Sequence, residues 1–265
     1  MKHRVAIGEK ILSFGGFVKS LAVAVMRPSD LIEFSRRTYA QTSNVAGWAS
    51  DDVIRSGLSS DEEALLKKIP LRKGRLLLLG VGGGREAIPL AGLGFAVTGL
   101  DFIAEMVEKA KDNARRNGVT MDSQVQELSQ LDLTPETYDI VWLSAAMYSC
   151  LPTRKRRTAM LRKIHESLKP RGFFVCQFHW DEGAAQNRTA VLLRKVFAFL
   201  TFGNFRYEAG DQLWFHNEFI HAFSSAEKLR SEFTETGFSI RDFILSGASR
   251  GGAVLEKQQP CKNSI

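Results

Sequence analysis

The chain has 265 residues, of which 44% are hydrophobic and 25% charged. That suits one large α/β domain, or one domain with an appended cap, able to bury a real core. Cys150, Cys176 and Cys261 stand far apart, with no C-x-x-C and no histidine at ligand spacing. This argues against a disulfide scaffold and a zinc site, so no metal is expected and a reduced, cytoplasmic protein is. The net charge of +7 is compatible with anionic partners and equally with a solvated basic surface.

Residues 11–26, ILSFGGFVKSLAVAVM, are apolar after a basic start. Lys19 interrupts the run, and it is shorter than the ~20 residues that span a bilayer. Ile11, Phe14, Val18, Leu21, Ala22 and Val25 fall on one helical face, which predicts an amphipathic helix on its own domain rather than a signal peptide. Contact of 11–26 with a membrane or a lipid-like substrate is the remaining reading. Residues 1–60 are expected to form an N-terminal helical segment or lid, and 61–265 the main domain.

Ser60-Asp61-Glu62-Glu63 reads as a capping box opening a helix through Ile69, with Pro70 beyond it. Residues 75–79 form a continuous apolar run, the pattern of a strand buried on both faces of a parallel sheet. After the glycines, 85–93 reads as helix, 95–101 (FAVTGLD) as strand, and 103–117 as helix stopped by Gly118. A weaker strand lies near 123–128. Residues 139–145 read as strand, 158–168 as helix and 173–178 (FFVCQF) as a further buried strand. The βαβ spacing predicts an open parallel sheet with helices on both faces. Residues 181–223 are rich in aromatics, show no clear period, and are expected to form a cap over the sheet edge. Then 224–236 reads as a capped helix, followed by strands at 238–245 and 252–256. Their short SGASRG link forces an antiparallel hairpin.

Gly80, Gly82, Gly83 and Gly84 follow the first strand, where ligands bind in open α/β sheets. Gly84 is followed by Arg85-Glu86 rather than Lys-Ser/Thr, so this is no phosphate loop of that kind. Arg85 also impairs G-x-G-x-x-G, which leaves an NAD-dependent dehydrogenase as a weaker alternative. G-x-G-x-G fits. Asp101 lies at the end of the second strand, 21 residues past Gly80, where its carboxylate can accept from both ribose hydroxyls. It could also cap the next helix.

Here the chain resembles the class I S-adenosylmethionine-dependent methyltransferase superfamily. LLLLGVGGGREA looks like its glycine motif, VTGLDFIAEMVEKAKDNA like the segment after it, YDIVWLSAAMYSCL like its fourth strand, and LRKIHESLKPRGFFVCQF like its fifth-strand turn. The resemblance implies a Rossmann-like seven-stranded, mostly parallel sheet ending in an antiparallel hairpin, with S-adenosylmethionine as cofactor. Gly80, Gly82 and Gly84 would line its methionine part, with Met106 matching the family spacing. Asp101 would hold the ribose, Phe102 would pack on adenine, and Glu127 and the Leu128 backbone would read the adenine edge. Ser144 would sit under the sulfonium side, and Tyr39 would close over the cofactor. The acid usual two places before the first glycine is Leu78 here, so an ordered water or a backbone group is expected to hold the ammonium.

The implied chemistry is methyl transfer to an O, N, S or C atom of a small, hydrophobic or aromatic molecule. Proton-transfer candidates are His179, Tyr148 and His221, with His216 and Asp181 nearby in sequence. The TRKRR run at 153–157 reads as a solvated helix start, or as a site for an anionic group or RNA backbone. An RNA methyltransferase and a non-catalytic cofactor-binding scaffold are the alternative readings.

Overall fold

A computed structural model describes residues 20–185, 188–214, 218–246 and 249–258, with residues 15 and 18. Ile11, Phe14, His216 and Cys261 lie outside the described residues. The sheet is built on β1 (Gly74–Leu79), β2 (Phe95–Asp101), β3 (Asp122–Val125), β4 (Tyr138–Leu143), β5 (Leu168–His179), β8 (Phe238–Ser246) and β9 (Arg250–Lys257). Its seven strands run in the order β3-β2-β1-β4-β5-β9-β8. β1 pairs in parallel with β2 and β4, β4 with β5, and β9 runs antiparallel between β5 and β8. The chain order reverses between β1 and β4, which opens a crevice at their carboxyl ends.

Four consecutive leucines, Leu76 to Leu79, are fully buried because both faces of β1 are covered. Leu77 and Leu79 pack in one core layer with Phe174 and Phe178, while Leu76 and Leu78 face the other with Trp142 and Val175. That alternation places Leu78 in the core, away from the crevice.

N-terminal to the sheet lie α1 (Pro28–Tyr39), α2 (Thr42–Trp48), α3 (Asp51–Ser56) and α4 (Ser60–Lys67). The capping box of α4 uses Ser59 rather than Ser60: the Ser59 N–H donates to Glu62 Oε2 at 2.7 Å and the Glu62 N–H to Ser59 Oγ at 3.3 Å. Between β1 and β2 runs α5 (Ala87–Gly92), after β2 α6 (Ala104–Arg116), and after β4 α7 (Arg154–Ser167). α7 begins four residues before the expected 158, with Thr153 as N-cap. β5 begins at Leu168 rather than 173, because Leu168 pairs with Tyr138 across a register shift.

The cap resolves into α8 (Arg188–Leu200) and an antiparallel pair, β6 (Asp211–Trp214) with β7 (Glu218–His221). Next comes α9 (Ala226–Thr234), whose N-cap Ser225 accepts from the Lys228 N–H. The N-terminal run buries a different face from the one its spacing suggests. Val23 and Ala24 are fully buried, whereas Val18 and Val25 are exposed. The cause is the cap: the Asn204 N–H donates to Ala24 O at 2.7 Å, and Val23 packs with Leu31, Tyr207 and Phe219.

Candidate functional site

β1 runs out into the glycine turn, which is pinned to β2 by the Gly80 and Val81 N–H groups donating to Leu100 O at 2.7 and 2.9 Å. Gly80 has φ +79, and a Cβ there would overlap Met147 Sδ. Gly82 has φ +51, and a Cβ there would meet nothing within 4 Å. It would project into open space, so glycine leaves room as well as permitting the turn.

That space is a cavity of about 530 Å³, within the range of small-molecule sites. Gly80, Gly82, Asp101, Phe102 and Met106 all line it. Glu127, Leu128 and Ser144, which directly follows β4, line it too. Ile32, Tyr39 and Trp48 of the N-terminal segment line it as well, with His179 from β5, Trp214 and Glu218 from the cap and Arg250 from β9. Gly84 is absent from this lining; a Cβ there would lie 3.5 Å from Ala110 O, so Gly84 backs onto α6. Gly83 lines the cavity instead.

Asp101 is buried, and burial raises its carboxyl pKa, although the N–H groups of Gly82 (3.0 Å) and Ile103 (3.1 Å) pull the other way. The N-cap of α6 is Ile103, not Asp101. Glu127 accepts from Ser129 Oγ, and from Gln130 Nε2 at 3.3 Å.

Glu86 escaped the sequence reading. It is buried, lines the cavity and accepts a short hydrogen bond from Ser144 Oγ. Arg85, which spoils the dinucleotide fingerprint, donates to Glu86 Oε1 at 2.6 Å, to both Glu62 oxygens at 2.8 and 2.6 Å, and to Gly57 O at 2.6 Å. Two buried carboxylates therefore share one guanidinium, a local charge of −1 when all three are ionised. Burial raises the Glu86 pKa, and the charge of Glu62 adds to the rise against the pull of Arg85 and Ser144. Burial also acts to raise the Glu62 pKa, but Arg85 and the Ser59 N–H outweigh it and the net shift is downward. A cation reaching Glu86 from the cavity would balance the excess charge.

On the cap side, Tyr39 Oη donates to Glu218 Oε2 at 2.6 Å, and Cys150 Sγ lies 3.8 Å from the same oxygen. Burial raises the Glu218 pKa against these two hydrogen bonds. His179 stacks near Trp214, with ring centroids 4.9 Å apart. Burial, with help from the Arg250 charge, lowers its pKa to about 4, so the imidazole is neutral at pH 7.

Tyr148 and His221 lie elsewhere. Tyr148 is fully buried, stacks on Phe223 and donates to Glu232 Oε2 at 2.6 Å. His221 Nδ1 lies 2.8 Å from Asp211 Oδ1. Both belong to a network tying the cap to α7 and α9. Within it Arg157 pairs with Glu232 and with Glu208, each at 2.8 Å. Glu208, Asp211 and His221 bring possible ligand atoms within 4.8 Å of one another, yet the Arg157 guanidinium already provides Glu208 with a cation. The basic run is largely used internally: Arg154 pairs with Glu235 at 2.5 Å, and Arg156 donates to Ser129 and Ser29.

A sequence-family profile described as "Methyltransferase domain" matches residues 76–172. A ubiquinone biosynthesis O-methyltransferase of Paramagnetospirillum magneticum is 37% identical over 129 residues, covering 49% of this chain and 46% of that protein. A phosphatidylethanolamine N-methyltransferase of Cereibacter sphaeroides is 30% identical over 95 residues, covering 35% and 46%. The chain thus spans about half the length of the curated relatives it matches. Among solved structures, a SAM-dependent methyltransferase from Methanosarcina mazei superposes with a TM-score of 0.61 at 18% identity, covering 77% of this chain and all of that one. One from Mesorhizobium loti gives 0.57 at 15% identity, covering 75% and 98%. The sheet order, the crevice after β1 and the domain match agree: residues 76–172 match the methyltransferase-domain family, and the chain has the fold of the S-adenosylmethionine-dependent methyltransferase structures it superposes on.

Proposed function

We propose that the cavity binds S-adenosylmethionine and that the chain transfers its methyl group to an oxygen or nitrogen of a small hydrophobic molecule. The observation that carries this reading is the union, in one cavity, of the glycine turn, the Asp101 carboxylate and the aromatic side chains of Tyr39, Trp48 and Trp214. The residues fit the cofactor. Gly82 leaves the floor open, Asp101 keeps lone pairs for ribose hydroxyls, and Phe102, Glu127 and Leu128 surround the adenine end. Met106 lines the same cavity, and Ser144 would sit toward the sulfonium side. Glu86 takes the role the family usually gives to the position of Leu78, holding the ammonium. No backbone group or ordered water is needed for it.

When bound, the cofactor supplies an electrophilic methyl on a sulfonium, so the protein's work is mainly orientation and exclusion of water. Ile32, Tyr39 and Trp48 from the N-terminal segment and Trp214 from the cap line the cavity. An acceptor seated against Trp214 would meet His179 and Glu218. Neutral His179 can accept a hydrogen bond from an acceptor hydroxyl. Glu218, with its raised pKa and its Tyr39 contact, is better matched to receiving the proton. Tyr148 and His221 are assigned to the cap network instead. The relatives named for ubiquinone O-methylation and phosphatidylethanolamine N-methylation support a hydrophobic acceptor. The pairing of Arg154 and Arg157 with carboxylates and the bonds of Arg156 to two serines weaken the case for RNA at this run. The free thiols Cys150 and Cys176 suit a cytoplasmic setting.

Incubation with methyl-tritiated cofactor and fractionated cell lipids tests the reading. Label is expected in an organic-soluble fraction and should fall sharply in Glu218→Gln. Cofactor binding with no labelled product in any fraction would favour the scaffold instead.

A further inference from the structure

No helix among the described residues is long and apolar enough to cross a membrane, yet the cap carries a helix that is apolar on its outside. On α8, Leu192, Leu193, Val196, Phe199 and Leu200 are all exposed, Leu192 by 62% and Phe199 and Leu200 by 68%. The inward residues include Ala198, which is fully buried, and Arg194, which donates to Ser20 Oγ and Tyr207 Oη. Val191 and Ala198 face inward as in an ordinary surface helix, but the outward face of α8 also carries long hydrophobes where polar residues are usual. The apolar surface continues past the helix through Phe202 and Phe205, exposed by 71% and 57%. Isolated exposed hydrophobes are ordinary, but a contiguous set of this size marks an interaction surface.

The charges say what it meets. Residues 188–206 contain Arg188, Arg194, Lys195 and Arg206 and no Asp or Glu. Lys195 and Arg206 are exposed, and so is Arg27, whose Nε donates to Phe202 O. An apolar face whose own segment carries cations and no acid complements an anionic bilayer surface, where the hydrophobes enter the acyl boundary and Lys195 and Arg206 meet phosphates. A second copy of the chain fits less well, since a two-fold contact on this face would bring two cationic segments together.

We propose that α8 and the 201–205 turn dock the protein on the surface of a membrane containing anionic lipid. The docking face and the cavity wall are parts of one cap. Val191 of α8 and Leu213 of β6 pack against one cluster that includes Phe219 of β7, and the β6–β7 pair carries Trp214 and Glu218 into the cavity. A docked cap would hold the cavity wall against the phase in which a hydrophobic acceptor dissolves. The docking itself does not depend on the chemistry assigned to the cavity.

The test is co-sedimentation of the full chain with vesicles of phosphatidylglycerol and phosphatidylcholine in equal parts, and of phosphatidylcholine alone. The wild type is expected on the mixed vesicles, more weakly on the neutral ones, and less so at high salt. Phe199→Glu with Phe202→Glu should reduce vesicle partitioning on the order of a hundredfold or more, from two lost aromatic insertions. Its melting temperature and cofactor-product affinity should stay unchanged. Lys195→Glu with Arg206→Glu should lower binding to the mixed vesicles and leave the neutral ones unaffected. A wild type that stays in solution, or double variants that bind like the wild type, would overturn the proposal. So would a concentration-dependent dimer abolished by Phe199→Glu with Phe202→Glu, because the face would then be a contact between copies.

Discussion

Glu86→Gln isolates the amino-acid end of the proposed cofactor. The substitution keeps the shape of the side chain and a partner for Ser144 Oγ, but removes the negative charge that the Arg85 guanidinium leaves uncompensated beside Glu62. A charge-assisted hydrogen bond of this kind contributes about 1.5–3 kcal/mol, which corresponds to roughly 10- to 150-fold in Kd. The loss should appear for S-adenosylhomocysteine, which carries the ammonium, and stay below about twofold for 5′-methylthioadenosine, which lacks it. The pH dependence follows from the raised pKa of Glu86 in the free protein. An ammonium beside it favours the carboxylate, so wild-type affinity for S-adenosylhomocysteine should weaken as pH falls through that raised pKa. In Glu86→Gln that dependence should flatten. Misfolding is not the expected outcome: a folded carboxyl with a raised pKa is destabilising while ionised, so the amide should melt no lower than the wild type at neutral pH. Calorimetry with the two ligands decides. Equal losses for both, or no loss for S-adenosylhomocysteine, would refute the assignment.

Asp101→Ala should weaken both nucleosides alike, on the order of a hundredfold, because both carry the ribose whose hydroxyls the carboxylate receives; unchanged affinity in the same titrations would remove that role. Arg157→Ala leaves Glu232 buried without its main counter-charge and should cost about 3–5 kcal/mol, lowering the melting temperature by roughly 10 °C, as read by circular dichroism. A melt unchanged within error would show that the cap network contributes little. His179 is held near 4 against an ordinary 6.5, so the unfolded chain binds its proton more readily. Its stability contribution is fully present above 6.5 and is lost as pH falls from there toward 4. His179→Gln should flatten that part of the stability profile, and an imidazole titrating near 6.5 by NMR would contradict the burial argument.

The sheet was legible because buried parallel strands read as continuous apolar runs and βαβ spacing orders them, so even the antiparallel end followed from six linking residues. What holds the basic start of α7 was not. Three arginines in a first turn oppose the helix dipole, and what offsets them, Glu208, Glu232 and Glu235, lies at least 51 residues away in sequence. Glu86 was hidden for the same reason, since its meaning depends on Ser144, 58 residues on, and on Glu62 from α4. Tyr148 and His221 looked available for proton transfer because sequence position gives strand ends but not the direction of a side chain. Within the cap, aromatic density was visible but the exposed hydrophobes of α8 were not, because sequence period does not say which apolar residues of a helix are covered.

The central claim is that the glycine turn and Asp101 receive the nucleoside of S-adenosylmethionine. Calorimetric titration of the full chain with S-adenosylhomocysteine, with NAD in a parallel cell, tests it most directly. A single saturable site for S-adenosylhomocysteine and no heat of binding from NAD are predicted. Binding of NAD with none of S-adenosylhomocysteine would contradict the account and return the crevice to a dehydrogenase reading.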